Sequence, residues 1–146
     1  MKVNVFLRFV TVPLIFLYFS LMAATVLLVE DEPDLVHVME IALTRAGFAV
    51  LATGSGAGAC AAAQEHRPDV VVMDRGLPDM DGLDATVRLR EDGYQAPILV
   101  VSGHASADHV DACLEAGADV VLTKPFRLAE LVAQVHQAIV PVADAG

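Results

Sequence analysis

From Thr25 onward, short apolar runs alternate with longer stretches in which apolar residues recur every three or four positions. Residues 25–29 read as a buried strand. Over 33–46, Leu35, Val38, Met39, Ala42 and Ala46 fall on one helical face, and Gly47 follows where a left-handed residue commonly closes a helix. A weaker strand is predicted over 48–53. Ser55 caps a helix through the alanines to about His66, with Gly56 and Gly58 weakening its first turn. Val70-Val71-Val72-Met73 is a third strand ending at Asp74, and a loop over 75–80 leads to a helix over about 82–91. Residues 98–101 make the fourth strand, ending at Ser102. Ser106 opens a helix that stops at Gly117, and Val120-Val121-Leu122 is the fifth strand before Lys124-Pro125. The last helix places Leu128, Leu131, Val132, Val135 and Ile139 on one face.

Five strands alternating with five helices imply a parallel sheet with right-handed crossovers and helices on both faces. The unbroken Val and Ile runs agree, because central parallel strands are buried on both sides. The expected fold class is therefore α/β, a doubly wound five-stranded parallel sheet over 25–140, followed by a short tail at 141–146. With 146 residues, 55% of them hydrophobic and none of them Trp, there is room for one aliphatic core. Cys60 and Cys113 both lie in helical patterns and read as buried thiols rather than a disulfide or metal site.

Charge separates residues 1–24 from the rest. The formal net charge is −10; residues 1–24 carry Lys2, Arg8 and no acid, leaving seven bases and all nineteen acids beyond them. A surface so acidic repels nucleic-acid phosphates, so no nucleic-acid partner is expected. No charged residue lies between Arg8 and Glu30. Once 26–29 are assigned to the first strand, the apolar stretch falls short of the ~20 residues that a spanning helix needs. Translation from a start assigned too far upstream, with Met22 as the natural beginning, is preferred over a short membrane anchor and over an export signal.

In open α/β sheets ligands bind beyond the carboxyl ends of the strands, where the strand order reverses. There the first strand delivers Glu30 and Asp31, the third Asp74, the fourth Ser102 and the fifth Lys124. Each alone has a structural explanation as a turn residue, cap or solvated side chain. Together on one rim they do not. Two carboxylates about 4 Å apart repel by roughly 4 kcal/mol at an effective dielectric near 20, and here there are three. A hard divalent cation relieves that repulsion, and Mg²⁺ suits oxygen ligands while leaving positions for a phosphate oxygen. Asp74 is then the candidate nucleophile, forming an acyl phosphate.

The runs Leu27-Leu28-Val29-Glu30-Asp31-Glu32-Pro33, Val72-Met73-Asp74-Arg75-Gly76-Leu77-Pro78-Asp79-Met80-Asp81-Gly82 and Thr123-Lys124-Pro125-Phe126 resemble the receiver domains of bacterial two-component response regulators. The resemblance covers about 25 to 140. It implies a flavodoxin-like, CheY-like fold with strand order 2-1-3-4-5. It also implies a Mg²⁺ site on Asp31, Asp74 and the Gly76 carbonyl, with Glu30 acting through water. Asp74 is then the phosphoacceptor, served by a sensor histidine kinase or histidine phosphotransfer protein. Ser102 would bond a phosphoryl oxygen, Lys124 would pair with the phosphoryl group, and a cis Lys124-Pro125 bond would hold the next loop. The output would be contact with a downstream protein, in the cytoplasm, with a membrane tether only if residues 1–24 anchor the chain.

Three positions depart from the pattern. Val121 replaces the Tyr or Phe that often rotates in this family, which shifts the expected readout to Ser102 and the backbone. Arg75 stands where an apolar residue is usual, as a rim cation or an exposed side chain. His104 reads as a solvated loop histidine in preference to one acting on the water that hydrolyses the acyl phosphate. The competing function is a pseudo-receiver, a binding module that is never phosphorylated. A small aspartyl phosphohydrolase is disfavoured because Gly76 stands where its second acid belongs.

Overall fold

The computed structural model describes residues 23–139. The upstream-start, anchor and export readings of the N-terminal segment rest on residues that fall almost wholly outside this range, as does the tail at 141–146. Strand β1 (Thr25–Val29) is followed by α1 (Pro33–Arg45), β2 (Ala49–Thr53), α2 (Gly56–His66) and β3 (Val70–Asp74). Then come α3 (Gly82–Glu91), β4 (Ile98–Ser102), α4 (Ala107–Ala116), β5 (Val120–Thr123) and α5 (Leu128–Ile139). All strand pairs are parallel, in the order β2-β1-β3-β4-β5. Among the described residues, no helix is long and apolar enough to cross a membrane.

Alternation along the strands sorts the core into two layers. Leu27, Val29, Val71, Met73, Ile98 and Val100 face Ala59 and Ala63 of α2, Ala85 and Leu89 of α3, and Cys113 of α4. Val26, Leu28, Val70, Val72, Leu99 and Val101 face Met39 and Leu43 of α1 and Leu131 and Val135 of α5. Both cysteines are buried and free, as expected.

The helix ends follow local chemistry. Pro33 starts α1, Ser55 Oγ accepts from Gly58 N–H to cap α2, and Gly47 takes φ +100 after α1. The predicted face of α1 needs correction. Val38 is 41% exposed and Ala46 is exposed, while Leu43 is fully buried. The helix is rotated so that Met39 and Leu43, four residues apart, point at the sheet. Leu128 is likewise exposed, because the inward stripe of α5 is centred on Leu131 and Val135.

Candidate functional site

Each residue of the predicted rim stands at or just past the end of a strand, held by the sheet's own hydrogen bonds. Glu30 N–H donates to Thr53 O at 3.0 Å, Arg75 N–H to Val101 O at 3.1 Å, and Lys124 N–H to Ser102 O at 2.8 Å. Glu30, Asp31 and Asp74 converge so that one ligand atom from each lies within 4.8 Å of the others. Lys124 Nζ is 2.8 Å from Asp74 Oδ1, and Gly76 N–H donates to Asp74 Oδ2 at 3.1 Å. These residues, with Ser102, line a cleft of about 500 Å³. The structure thus brings every predicted site residue together. The Lys124-Pro125 bond is cis, as the resemblance implied.

Burial makes the cluster electrostatically tense. Glu30 is 4% exposed and Asp74 5%, while Asp31 is open to solvent. Burial first, and then the Asp74 charge, push the Glu30 carboxyl up to about 7, against the pull of Lys124 and the Glu32 N–H. For Lys124, partial burial opposes the charge, but the Asp74 bond and the nearby Glu30 and Glu32 outweigh it and raise its pKa. One ammonium therefore serves three carboxylates. The donor set is all hard oxygen, which fits a divalent cation of the magnesium type.

Further residues support the site, and of these Arg75 alone stands out in the sequence. Arg75 is half-buried at the edge of the cleft, and its charge is taken up by Asp81. Its guanidinium holds Asp81 with two bonds, Nη2 to Oδ2 at 2.8 Å and Nε to Oδ1 at 3.2 Å. Bonding to Arg75 keeps the Asp81 carboxyl below the usual range, and Asp81 also caps α3 by accepting from Leu83 N–H. Asp79 accepts from Gly56 N–H at 2.8 Å and Ala57 N–H at 3.0 Å, tying the β3–α3 loop to the start of α2. Those backbone bonds hold the Asp79 carboxyl below its ordinary value. A Cβ on Gly82 would overlap the Asp74 carbonyl oxygen, so only glycine lets α3 start this close to the site. The Arg75–Asp81 pair spans six residues and was within reach of sequence reasoning; the Asp79 anchor, 22 and 23 residues from its partners, was not.

The model of the response regulator receiver domain family matches residues 26–136, and the chain belongs to that family. It is 46% identical over 116 residues to the transcriptional regulatory protein KdpE of Mycobacterium tuberculosis, covering 78% of this chain and 50% of that protein. It is 43% identical over 108 residues to the probable transcriptional regulatory protein TcrX of the same species, covering 74% and 46%. The chain spans about half the length of these curated relatives. Among solved structures, chemotaxis protein CheY4 of Vibrio cholerae superposes with a TM-score of 0.76 at 29% identity, over 80% of this chain and 98% of that one. The receiver domain of sensor histidine kinase PA1611 from Pseudomonas aeruginosa, with a magnesium ion coordinated in its active-site cleft, gives 0.73 at 35% identity, over 80% and 98%. Residues 26–136 form a CheY-like receiver domain of two-component signalling.

Proposed function

We propose that this domain accepts a phosphoryl group on Asp74 from a phosphohistidine, carried by a sensor histidine kinase or a histidine phosphotransfer protein, and signals through protein–protein contact. One observation carries the reading: a buried carboxylate at the end of β3 lies within 4.8 Å of two others and 2.8 Å from a lysine. A module that only binds a partner has no need to sustain that repulsion.

Asp31, Asp74 and the Gly76 carbonyl, with Glu30 in support, are the groups that would hold Mg²⁺, as the PA1611 domain holds its ion in its own cleft. Bound there, the ion supplies positive charge that offsets the carboxylates and the phosphoryl oxygens. An Asp74 carboxylate oxygen forms the new P–O bond while the P–N bond breaks, its electron pair returning to the donor imidazole. The Gly76 N–H on Oδ2 and Lys124 on Oδ1 fix the carboxylate's orientation before attack. Lys124 then pairs with the phosphoryl group, and the Ser102 hydroxyl, 1% exposed beside it, donates to a phosphoryl oxygen.

Incubation with Mg²⁺ and a small acyl phosphate donor tests this. The expected result is one phosphate per chain, released by hydroxylamine and absent from Asp74→Asn. Absence of phosphate from the parent protein under the same conditions favours the pseudo-receiver.

A further inference from the structure

Position 121 on β5 carries a valine, half-buried against the core, so no aromatic ring stands there to move when the cleft fills. Rings are found instead in and just beyond the β4–α4 loop. Ser102 ends β4 with its Oγ accepting from His104 N–H at 3.2 Å. The His104 imidazole lies over that of His109, with centroids 4.6 Å apart and planes 26° from parallel. His109 sits in the first turn of α4, and its Nδ1 hydrogen-bonds Ser106 Oγ at 2.6 Å; Ser106 is the residue that caps that helix. Three successive contacts therefore lead from a hydroxyl in the cleft to the start of α4.

We propose that the His104–His109 stack is the link by which a phosphoryl group on Asp74 is transmitted to α4. The inference rests on the reading of Asp74 as phosphoacceptor and Ser102 as the hydroxyl that meets the phosphoryl group. A Ser102 side chain that rotates toward a phosphoryl oxygen carries its oxygen away from His104 N–H. That N–H then loses its partner within the chain, and the loop is released. Gly103, between Ser102 and His104, adds backbone freedom, and the space beside its Cα is open. Displacement of His104 slides its ring from His109. The receiving element is suited to respond: Cys113 is the one buried side chain of α4, whereas each other helix buries two or more. A helix with so little apolar anchoring is reset at small cost.

Imidazole ¹³C–¹H NMR of the whole protein, at fixed pH, tests the link. Beryllium fluoride with Mg²⁺ serves as the phosphoryl stand-in, and ¹⁹F signals report occupancy at Asp74 independently. As occupancy rises, both ring signals should move, that of His104 toward its position in His109→Ala and that of His109 toward its position in His104→Ala. In His104→Ala the α4 amides should lose their response to bound fluoride, and His104→Phe, which keeps a ring to stack, should restore it. In Ser102→Ala the ring signals should no longer follow occupancy. Ring signals that stay fixed at full occupancy overturn the link while leaving the phosphoacceptor reading intact, as does an undiminished α4 response in His104→Ala. Failure of fluoride to occupy Asp74 at all removes the reading beneath it, and the inference falls with it.

Discussion

The two rims of the sheet treat acidic residues in opposite ways. At the amino-terminal rim, Asp69 accepts from Thr25 N–H at 2.7 Å, and Asp119 accepts from Ile98 N–H and Arg90 Nη2, both at 2.9 Å. Arg90 also donates to the carbonyls of Tyr94, Ala96 and Gly117, at 2.7, 2.8 and 3.0 Å. Each carboxylate there has donors of its own, and the bonds lace α3 to the strand starts. At the carboxyl-terminal rim, Glu30, Asp31 and Asp74 crowd together, and Lys124 pairs with Asp74 alone. The first rim is satisfied by the chain itself. The second is left short of positive charge, which is the state from which a cation and a phosphoryl group can be taken up.

The largest effect is expected from breaking the satisfied rim. Arg90→Ala removes four hydrogen bonds and strands three carbonyls, at a cost of about 3 kcal/mol. Urea unfolding should show that loss, while phosphate uptake on Asp74 below the melting transition should change by less than about twofold, since the sites are independent. A loss below about 1 kcal/mol would mean that solvent replaces those bonds.

Tension at the other rim should appear as a pH dependence. The Glu30 carboxyl is raised from 4.5 to about 7 in the fold. A raised acid binds its proton more tightly folded than unfolded, so its stabilising contribution is complete below pH 4.5 and is lost as pH rises through 7. Chelator-treated protein should therefore lose stability between about pH 5 and about pH 8, by on the order of 3 kcal/mol at most. Glu30→Gln should flatten that slope. An unchanged slope in the variant would assign it to another group. Saturating Mg²⁺ should also flatten it, because a cation bound by the carboxylates favours their ionised form.

Why the carboxyl-terminal rim was legible in the sequence and the other was not follows from how each is built. A parallel strand buried on both faces needs an unbroken apolar run, so Val26 to Val29 and Val70 to Met73 announce where their strands end. Whatever polar residue comes next is placed on the rim by topology alone, which is how Glu30, Asp31 and Asp74 were found. Arg90 offered no such signal. Its partners Gly117 and Asp119 are 27 and 29 residues away, and Arg90 looks like any charged residue near a helix end. The face of α1 departs from its sequence pattern for a related reason: its apolar residues cover more than one stripe, and the sheet selects Met39 and Leu43 over Val38.

Arg75 lies where the comparison is sharpest, since it lines the tense cleft yet is paired like a residue of the satisfied rim. If it is chiefly a clasp for the β3–α3 loop, Arg75→Met should cost little. The pair is partly exposed, with side-chain exposures of 23% and 41%, so solvent screening holds its contribution to about 0.5–1 kcal/mol. Asp81→Ala should cost more than Arg75→Met, by about 1 kcal/mol, because it also removes the cap that Leu83 N–H uses. Neither cost should change between about pH 5 and about pH 8, because Arg75 holds the Asp81 carboxyl below its ordinary range and so ionised throughout. A difference between the two variants that vanishes would place the whole effect in the ion pair. A cost of Arg75→Met that grows as Glu30 ionises would instead make Arg75 a counter-charge for the acids of the cleft, a second cation beside Lys124.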